Sequence, residues 1–163
     1  MRSLTYWTPS TPDSSEVVPS PSHKGPASTG FHLLWHLASL SLGVFFIRIG
    51  FLHFTDPSWF EPIVPSMPGT PRFWVLLSGA VEVLLGTGLI IPFLRKWSGI
   101  ATSIFLVLIY PANLNMWIND LSLGDGTDLS PSGHLIRMLV QMTAIAVCLW
   151  ISRKNKTLEN KAS

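Results

Sequence analysis

Glu82 lies in the middle of an apolar segment, residues 73–92, and no other ionisable residue occurs between Arg72 and Arg95. Placing a charge near the centre of a bilayer costs from ~3 to more than 10 kcal/mol, so such residues usually pair inside a bundle and often mark function. A carboxyl group at this position can bind a ligand, relay a proton or stabilise helix packing. The residues that could pair with Glu82 are therefore the first candidates for a functional site.

The chain contains three other long apolar segments, residues 31–54, 97–117 and 134–151, and each of them also carries polar side chains. Two long loops connect the first segment to the second and the third to the fourth. Most of the polar side chains lie roughly 6 to 14 Å from the helix ends at these loops, at a rise of 1.5 Å per residue. His134, Arg137 and Gln141 share one helix face by their spacing. The candidate ligand-binding residues, or members of a buried polar network, are Arg48, His53, Glu82, Asn113, Arg137 and Gln141. No catalytic residue is assigned.

Small residues lie on the same helix face as Glu82. Gly79 and Gly86 lie three residues before it and four after it, and such stripes let membrane helices approach closely. This spacing predicts that Glu82 faces the bundle interior, within reach of Arg48 or Arg137. One carboxylate against two guanidinium groups would leave a positive site suited to an anionic or carbonyl-bearing ligand. The alternatives are a structural network that fixes helix register and snorkelling of the arginines to the headgroups.

The histidines offer two further kinds of site. His32 and His36 have the i, i+4 spacing that can hold a metal, but no other ligand is placed nearby to complete a shell, so we predict no metal site. His53 and His134 lie at a shared depth and could ligate a haem between helices. Because nothing but that depth supports a haem, we do not expect one.

The composition is that of a membrane protein. Charged residues make up 12% of the 163 residues and apolar residues 47%, whereas soluble domains average about 25% charged residues. Residues 31–54, 73–92, 97–117 and 134–151 are each close to the roughly 20 apolar residues that cross a bilayer as a helix. A helix that is apolar on all sides needs lipid or a very large core. The sequence therefore predicts an all-α, integral-membrane four-helix bundle, with a transmembrane domain over residues 31–151.

Composition also excludes several function classes. The chain has one cysteine, Cys148, so the membrane dithiol oxidoreductases, whose chemistry needs two thiols, are excluded. It has no iron–sulfur spacing and no nucleotide-binding loop. The net charge of +2 does not indicate nucleic acid binding.

The basic residues predict the orientation of the bundle. Residues 1–30 are rich in Ser, Thr and Pro and predict a disordered tail, and residues 152–163 form a short basic tail. Lys and Arg near membrane spans concentrate on the cytoplasmic side. Two such residues, Arg72 and Arg137, lie on the side opposite the termini, and seven lie on the side of the termini: Lys24, Arg95, Lys96, Arg153, Lys154, Lys156 and Lys161. Both termini should therefore be cytoplasmic and the membrane the plasma membrane, with an organellar membrane as the alternative.

The loops constrain the arrangement of the helices. Residues 56–72 contain five prolines among aromatic and apolar residues, which precludes a long helix and suits an interfacial anchor. The alternative is a lid over a site between the helices. The loop at residues 93–96 is so short that the second and third helices should be antiparallel neighbours.

Several short motifs resemble those of the DoxX-like family in order and spacing, from about residue 39 to residue 150. They are GFLHF at 50–54 after Arg48, the proline-rich loop, SGAVE at 78–82 followed by LG at 85–86 and Pro92, YPAN at 110–113 with Met116, and Arg137 four residues before Gln141. Two features depart from the family pattern. Leu139 stands where members often have Pro, and the thirty-residue N-terminal tail has no counterpart.

The resemblance implies a small four-helix membrane protein with polar positions at the six candidate residues. Because some relatives are linked to thiosulfate and quinone redox chemistry, we expect a redox-associated, quinone-linked accessory subunit with a ligand site in the outer half of the bundle. Its expected partners are the lipid bilayer and a protein of the same membrane complex, which must supply any redox centre. The alternative is a non-catalytic structural or assembly subunit whose buried polar network only fixes helix packing.

Overall fold

The structure is a computed structural model that describes the backbone of residues 26–159 and the side chains of residues 30–153. Four helices make up most of this part of the chain: α1 (Pro26–Thr55), α2 (Pro71–Ile90), α3 (Arg95–Ile118) and α4 (Pro131–Glu159). All four contain stretches long and apolar enough to cross a membrane, at Gly30–Thr55, Pro71–Ile90, Arg95–Ile118 and Pro131–Arg153. The predicted all-helical, four-span architecture is confirmed.

The helix boundaries differ from the predicted tails. α1 begins at Pro26, within the predicted N-terminal tail, and α4 continues to Glu159, through much of the predicted C-terminal tail. The rest of those two tails, residues 1–25 and 160–163, lies outside the described residues. Prolines start α1, α2 and α4, where a missing N–H donor costs nothing.

α1 and α2 pack so closely that their backbones touch. A Cβ atom added to Gly86 would lie 2.6 Å from the backbone oxygen of Gly43, and one added to Gly50 would lie 2.7 Å from that of Gly79. These four glycines, two per helix and seven residues apart, therefore set the separation of the antiparallel pair. Of the four, sequence analysis identified only the two on α2.

α3 packs along α4, and the two helix pairs enclose a small apolar core. Phe46, Leu89 and Leu106 form this core in the middle of the bundle. Most other large apolar side chains point outward, among them Leu84, which is 73% exposed, and Leu108, which is 70% exposed. A surface of this kind is stable only against lipid or against another membrane protein.

The helix ends near residues 56–70 and 119–130 are called the loop end here, and the opposite ends are called the termini end. Gly50 packs against α2 at Gly79 and Val83, so the last residue of α1, Thr55, lies level with a point about one and a half turns inside α2. Two short 3-10 helices, Pro57–Trp59 and Glu61–Ile63, pack against α2 at the loop end, where α2 extends beyond the last residue of α1.

Candidate functional site

His53 of α1 and Glu82 of α2 form a buried pair where the two helices are closest. His53 is 7% exposed and Glu82 5% exposed, and His53 Nδ1 lies 3.4 Å from Glu82 Oε2. A side chain at position 79 would collide with His53, so Gly79 makes room for the imidazole. Glu82 faces the interior of the bundle, as predicted.

The carboxyl group of Glu82 is not satisfied by this neighbour. His53 Nδ1 lies 2.8 Å from the backbone oxygen of Ile49, and because a carbonyl can only accept, Nδ1 donates its proton there. Glu82 Oε2 consequently has no hydrogen-bond partner among the described residues. Native proteins rarely leave a buried polar oxygen unpaired, and such an atom calls for a functional or structural explanation.

The proline-rich segment covers the pair from the loop end. The ring of Phe60 stacks on the imidazole of His53, with centroids 3.9 Å apart and planes inclined by 14°. Ile63 is buried with Met116 and Leu123, and its backbone oxygen accepts a hydrogen bond of 3.2 Å from Asn115 Nδ2. These contacts place the segment over the bundle interior, which is the arrangement expected of the lid alternative.

The second long loop holds the proline-rich segment in place. The backbone N–H of Gly124 donates to the oxygen of Trp59 at 3.0 Å. Asp125 accepts hydrogen bonds from the Trp59 side chain and from Thr127. These bonds, that of Trp59 most of all, hold the pKa of the Asp125 carboxyl below its ordinary value. The cover over His53 is thus built from both long loops.

A second polar cluster joins α3 and α4. Arg137 Nη2 donates to Asn113 Oδ1 at 2.6 Å, and Asn113 Nδ2 donates to Gln141 Oε1 at 2.8 Å. Gln141 Nε2 in turn donates to the backbone oxygen of Leu106 at 2.6 Å. This chain of bonds satisfies both amides. The half-buried guanidinium is bonded only to neutral groups, Asn113 and the sulfur of Met116, and within residues 30–153 it forms no ion pair.

The six candidate residues therefore do not form one cluster. His53 and Glu82 lie between α1 and α2, and Asn113, Arg137 and Gln141 lie between α3 and α4. The predicted ion pairing of Glu82 with Arg48 or Arg137 is wrong for the described structure, where the ionisable side chain beside Glu82 is His53. Arg48 is exposed on the outer surface of α1.

His134 and His36 are packed against aromatic and basic side chains. His134 is 6% exposed and stacks on Trp117 with parallel rings 5.7 Å apart. His36 lies at the termini end, where its Nδ1 accepts a hydrogen bond of 2.9 Å from Arg95 Nη1. Within the described residues no group of three or more potential metal ligands occurs.

Arg95, which the sequence suggested only as an orientation signal, has a structural role at the termini end. Arg95 is 4% exposed and donates to the backbone oxygens of Leu89 and Ile90 at 3.0 Å each. Its guanidinium also lies 4.6 Å from the ring centre of Trp35. Arg95 therefore caps the C-terminus of α2, whose last carbonyls have no partner within the helix. The sequence pattern that could have indicated this cap is a basic residue shortly after the end of an apolar segment that is predicted to be a helix.

Fold and site together define a membrane-spanning four-helix protein with ionisable side chains buried between its helices. The chain belongs to the protein family described as Domain of unknown function (DUF8561), which it matches over residues 42–152. The matched region begins within α1, ends within α4 and contains all six candidate residues. No curated protein and no solved structure matches the chain.

Proposed function

We propose that this chain is a redox-associated accessory subunit of a membrane complex, similar to the DoxX-like proteins, that binds a quinone-like ligand at its buried carboxyl group. The observation that carries the proposal is Glu82 Oε2, which is buried and has no hydrogen-bond donor among the described residues. The hydroxyl of a hydroquinone is a donor of the kind that this oxygen lacks.

Two features, one in each polar cluster, support a ligand of this chemistry. The imidazole of His53, 3.4 Å from Glu82 Oε2, uses Nδ1 as a donor to Ile49, which leaves Nε2 able to accept a proton. Arg137 has five N–H donors, of which the contacts to Asn113 and Met116 use two. A carboxyl and imidazole pair can exchange a proton with a ligand hydroxyl, and a guanidinium can donate to a ligand carbonyl.

Electrons must come from elsewhere in such a complex. The chain has a single cysteine, and Cys148 is fully buried. The partner subunit would therefore hold the redox centre, while this chain would hold the ligand and its proton.

We also propose that both termini lie in the cytoplasm and that the membrane is the plasma membrane, with an organellar membrane as the alternative. The bias of Lys and Arg toward the termini end supports this orientation. It can be tested with single cysteines introduced at Ser58 and Ser163 in a Cys148→Ala background. A membrane-impermeant maleimide added to intact cells should label position 58 and not position 163, and the reverse pattern would invert the topology.

Ligand binding is tested with purified full-length protein and the hydroquinone form of a soluble ubiquinone analogue, kept reduced under anaerobic conditions. Replacing Glu82 by Gln should weaken binding at least tenfold, which corresponds to about 1.4 kcal/mol, because the amide is a weaker acceptor and cannot take the ligand proton. The matched control is Glu61→Gln, a carboxyl-to-amide change in the loop, which should bind the analogue like the unmodified protein. Absence of binding by the unmodified protein would exclude the proposed ligand class.

The second candidate function is a structural or assembly subunit, which the cluster between α3 and α4 favours. Its two amides, Asn113 and Gln141, are satisfied within the bundle, as expected of groups that fix helix register. Under this hypothesis the unmodified protein and the Glu82→Gln variant would both fail to bind the analogue. Replacing Asn113 by a residue without an amide would then lower both the stability of this chain and the assembly of the complex.

A further inference from the structure

Arg48 is a cation on the outer surface of a membrane-spanning helix. The structure leaves it exposed, and its side chain has no ion pair or hydrogen bond among the described residues. A charge that faces hydrocarbon is costly unless it reaches water, a headgroup or an opposite charge. One of these three must therefore be within its reach in the membrane.

The depth of Arg48 excludes the headgroups. Gly50 packs against α2 at Gly79 and Val83, and Arg48 lies half a turn from Gly50 toward the termini end, about level with Val83. That level is roughly 18 Å from the start of α2 by the helical rise, in a hydrocarbon core ~30 Å thick. An arginine side chain reaches little more than one turn of ~5.4 Å. The shallower depths of roughly 6 to 14 Å estimated from the sequence assumed that the helices end at the same level.

The surface around Arg48 is a continuous apolar face. Val44, Phe45, Phe51 and Leu52 lie three and four residues to either side of it and are 53%, 52%, 58% and 41% exposed. Residues at these spacings are neighbours on a helix surface. α1 thus presents four large apolar side chains with one central cation. A transmembrane helix with a carboxylate at the same depth would complement this pattern.

A second copy of this chain cannot supply that carboxylate. Among the membrane-spanning stretches that the structure describes, Glu82 is the one acidic residue. It is 5% exposed and turned toward His53. Two copies that met through this face would instead bring one Arg48 close to the other.

We infer that the Arg48 face of α1 binds a transmembrane helix of a different membrane protein, one with an aspartate or glutamate near the middle of its span. In the low dielectric of the membrane, a carboxylate against a guanidinium is far more stable than either group alone. This inference names the partner chemistry of the accessory role proposed above and rests on that role only for the existence of a partner.

The test uses synthetic poly-leucine transmembrane peptides with Glu, Gln or Lys at the central position. The full-length protein in phosphatidylcholine vesicles at pH 8 carries a donor fluorophore at a cysteine introduced at Ser163, and the peptides carry an acceptor. The Glu peptide should bind at least tenfold more tightly than the Gln peptide. Arg48→Met should abolish this preference, and Arg48→Glu should transfer it to the Lys peptide. The control Arg72→Met, a change at an exposed arginine at the start of α2, should leave the preference for Glu unchanged.

Two outcomes would overturn the inference. Equal binding of the Glu and Gln peptides by the unmodified protein would mean that lipid or water satisfies Arg48. Energy transfer between two labelled copies of the chain that disappears in Arg48→Met would mean that the face joins like subunits. The ligand proposal fails independently, because Arg48→Met should still bind the quinone analogue and Glu82→Gln should still prefer the Glu peptide.

Discussion

Glu82 and Gln141 are equally buried polar side chains whose replacement by methionine should change stability in opposite directions. Each is 5% exposed. Glu82 Oε2 has no hydrogen-bond partner in the described part of the chain, whereas Gln141 donates to Leu106 at 2.6 Å and accepts from Asn113 at 2.8 Å. Methionine has a similar shape to both residues, so the comparison isolates the polar groups.

The size of each change follows from the hydrogen bonds that are present. A buried polar group without a partner destabilises a fold by ~1 to 3 kcal/mol, so Glu82→Met should raise the free energy of unfolding by about that amount. Gln141→Met removes two interhelical bonds, which are worth ~0.6 to 1.7 kcal/mol each in membranes. It should therefore lower the free energy of unfolding by ~1 to 3 kcal/mol.

Equilibrium unfolding in mixed micelles, with dodecyl sulfate as denaturant and helical circular dichroism as the signal, measures both changes. A residue kept for ligand binding at the expense of stability is expected to behave as Glu82 should. If Glu82→Met lowered the free energy of unfolding by more than ~1 kcal/mol, against the gain expected for an unpaired group, Glu82 would have a stabilising partner.

Three further predictions concern the packing and the loops. In the same assay, Arg95→Lys should lower the free energy of unfolding by ~1.5 to 3 kcal/mol, the value of a charge-assisted hydrogen bond. The reason is that lysine cannot bridge both carbonyls at the end of α2. An unchanged free energy of unfolding would show that the cap is dispensable. Gly86→Ala should lower the free energy of unfolding by ~1 to 3 kcal/mol through overpacking, since the new Cβ would lie 2.6 Å from a backbone oxygen of α1. The control Gly30→Ala, whose Cβ would have nothing within 4 Å, should not lower it. Equal effects of the two changes would contradict the glycine contact. Because the pKa of Asp125 is lowered, its hydrogen bond with Trp59 is fully formed above the ordinary pKa of ~3.9 and is lost as the pH falls through the lower, folded-state pKa. Tryptophan fluorescence should change in that pH range. Asp125→Asn should remove this change.

The spans and the inward direction of Glu82 could be predicted from the sequence because both depend on local patterns. Runs of about 20 apolar residues predict spans by length alone, and the stripe of Gly79 and Gly86 predicts the helix face that packs closely. Both inferences need no knowledge of the neighbouring helices.

The position of Arg48 could not be read in the same way. α1 is apolar on nearly all sides, so its sequence does not indicate which side faces the bundle. Its depth, and that of His53, also depend on how far α2 extends beyond α1. That offset arises from the contacts of Gly43 and Gly50 with α2, which are tertiary and leave no local signature.

Photolabelling determines whether a quinone-like ligand binds beside Glu82, as proposed. A photoreactive quinone analogue, irradiated with the unmodified protein, should attach to residues near Glu82 and His53 on α1 and α2, and Glu82→Gln should reduce that labelling at least tenfold. Labelling confined to exposed positions such as Leu84 and Leu108, and equal in the two proteins, would contradict the claim.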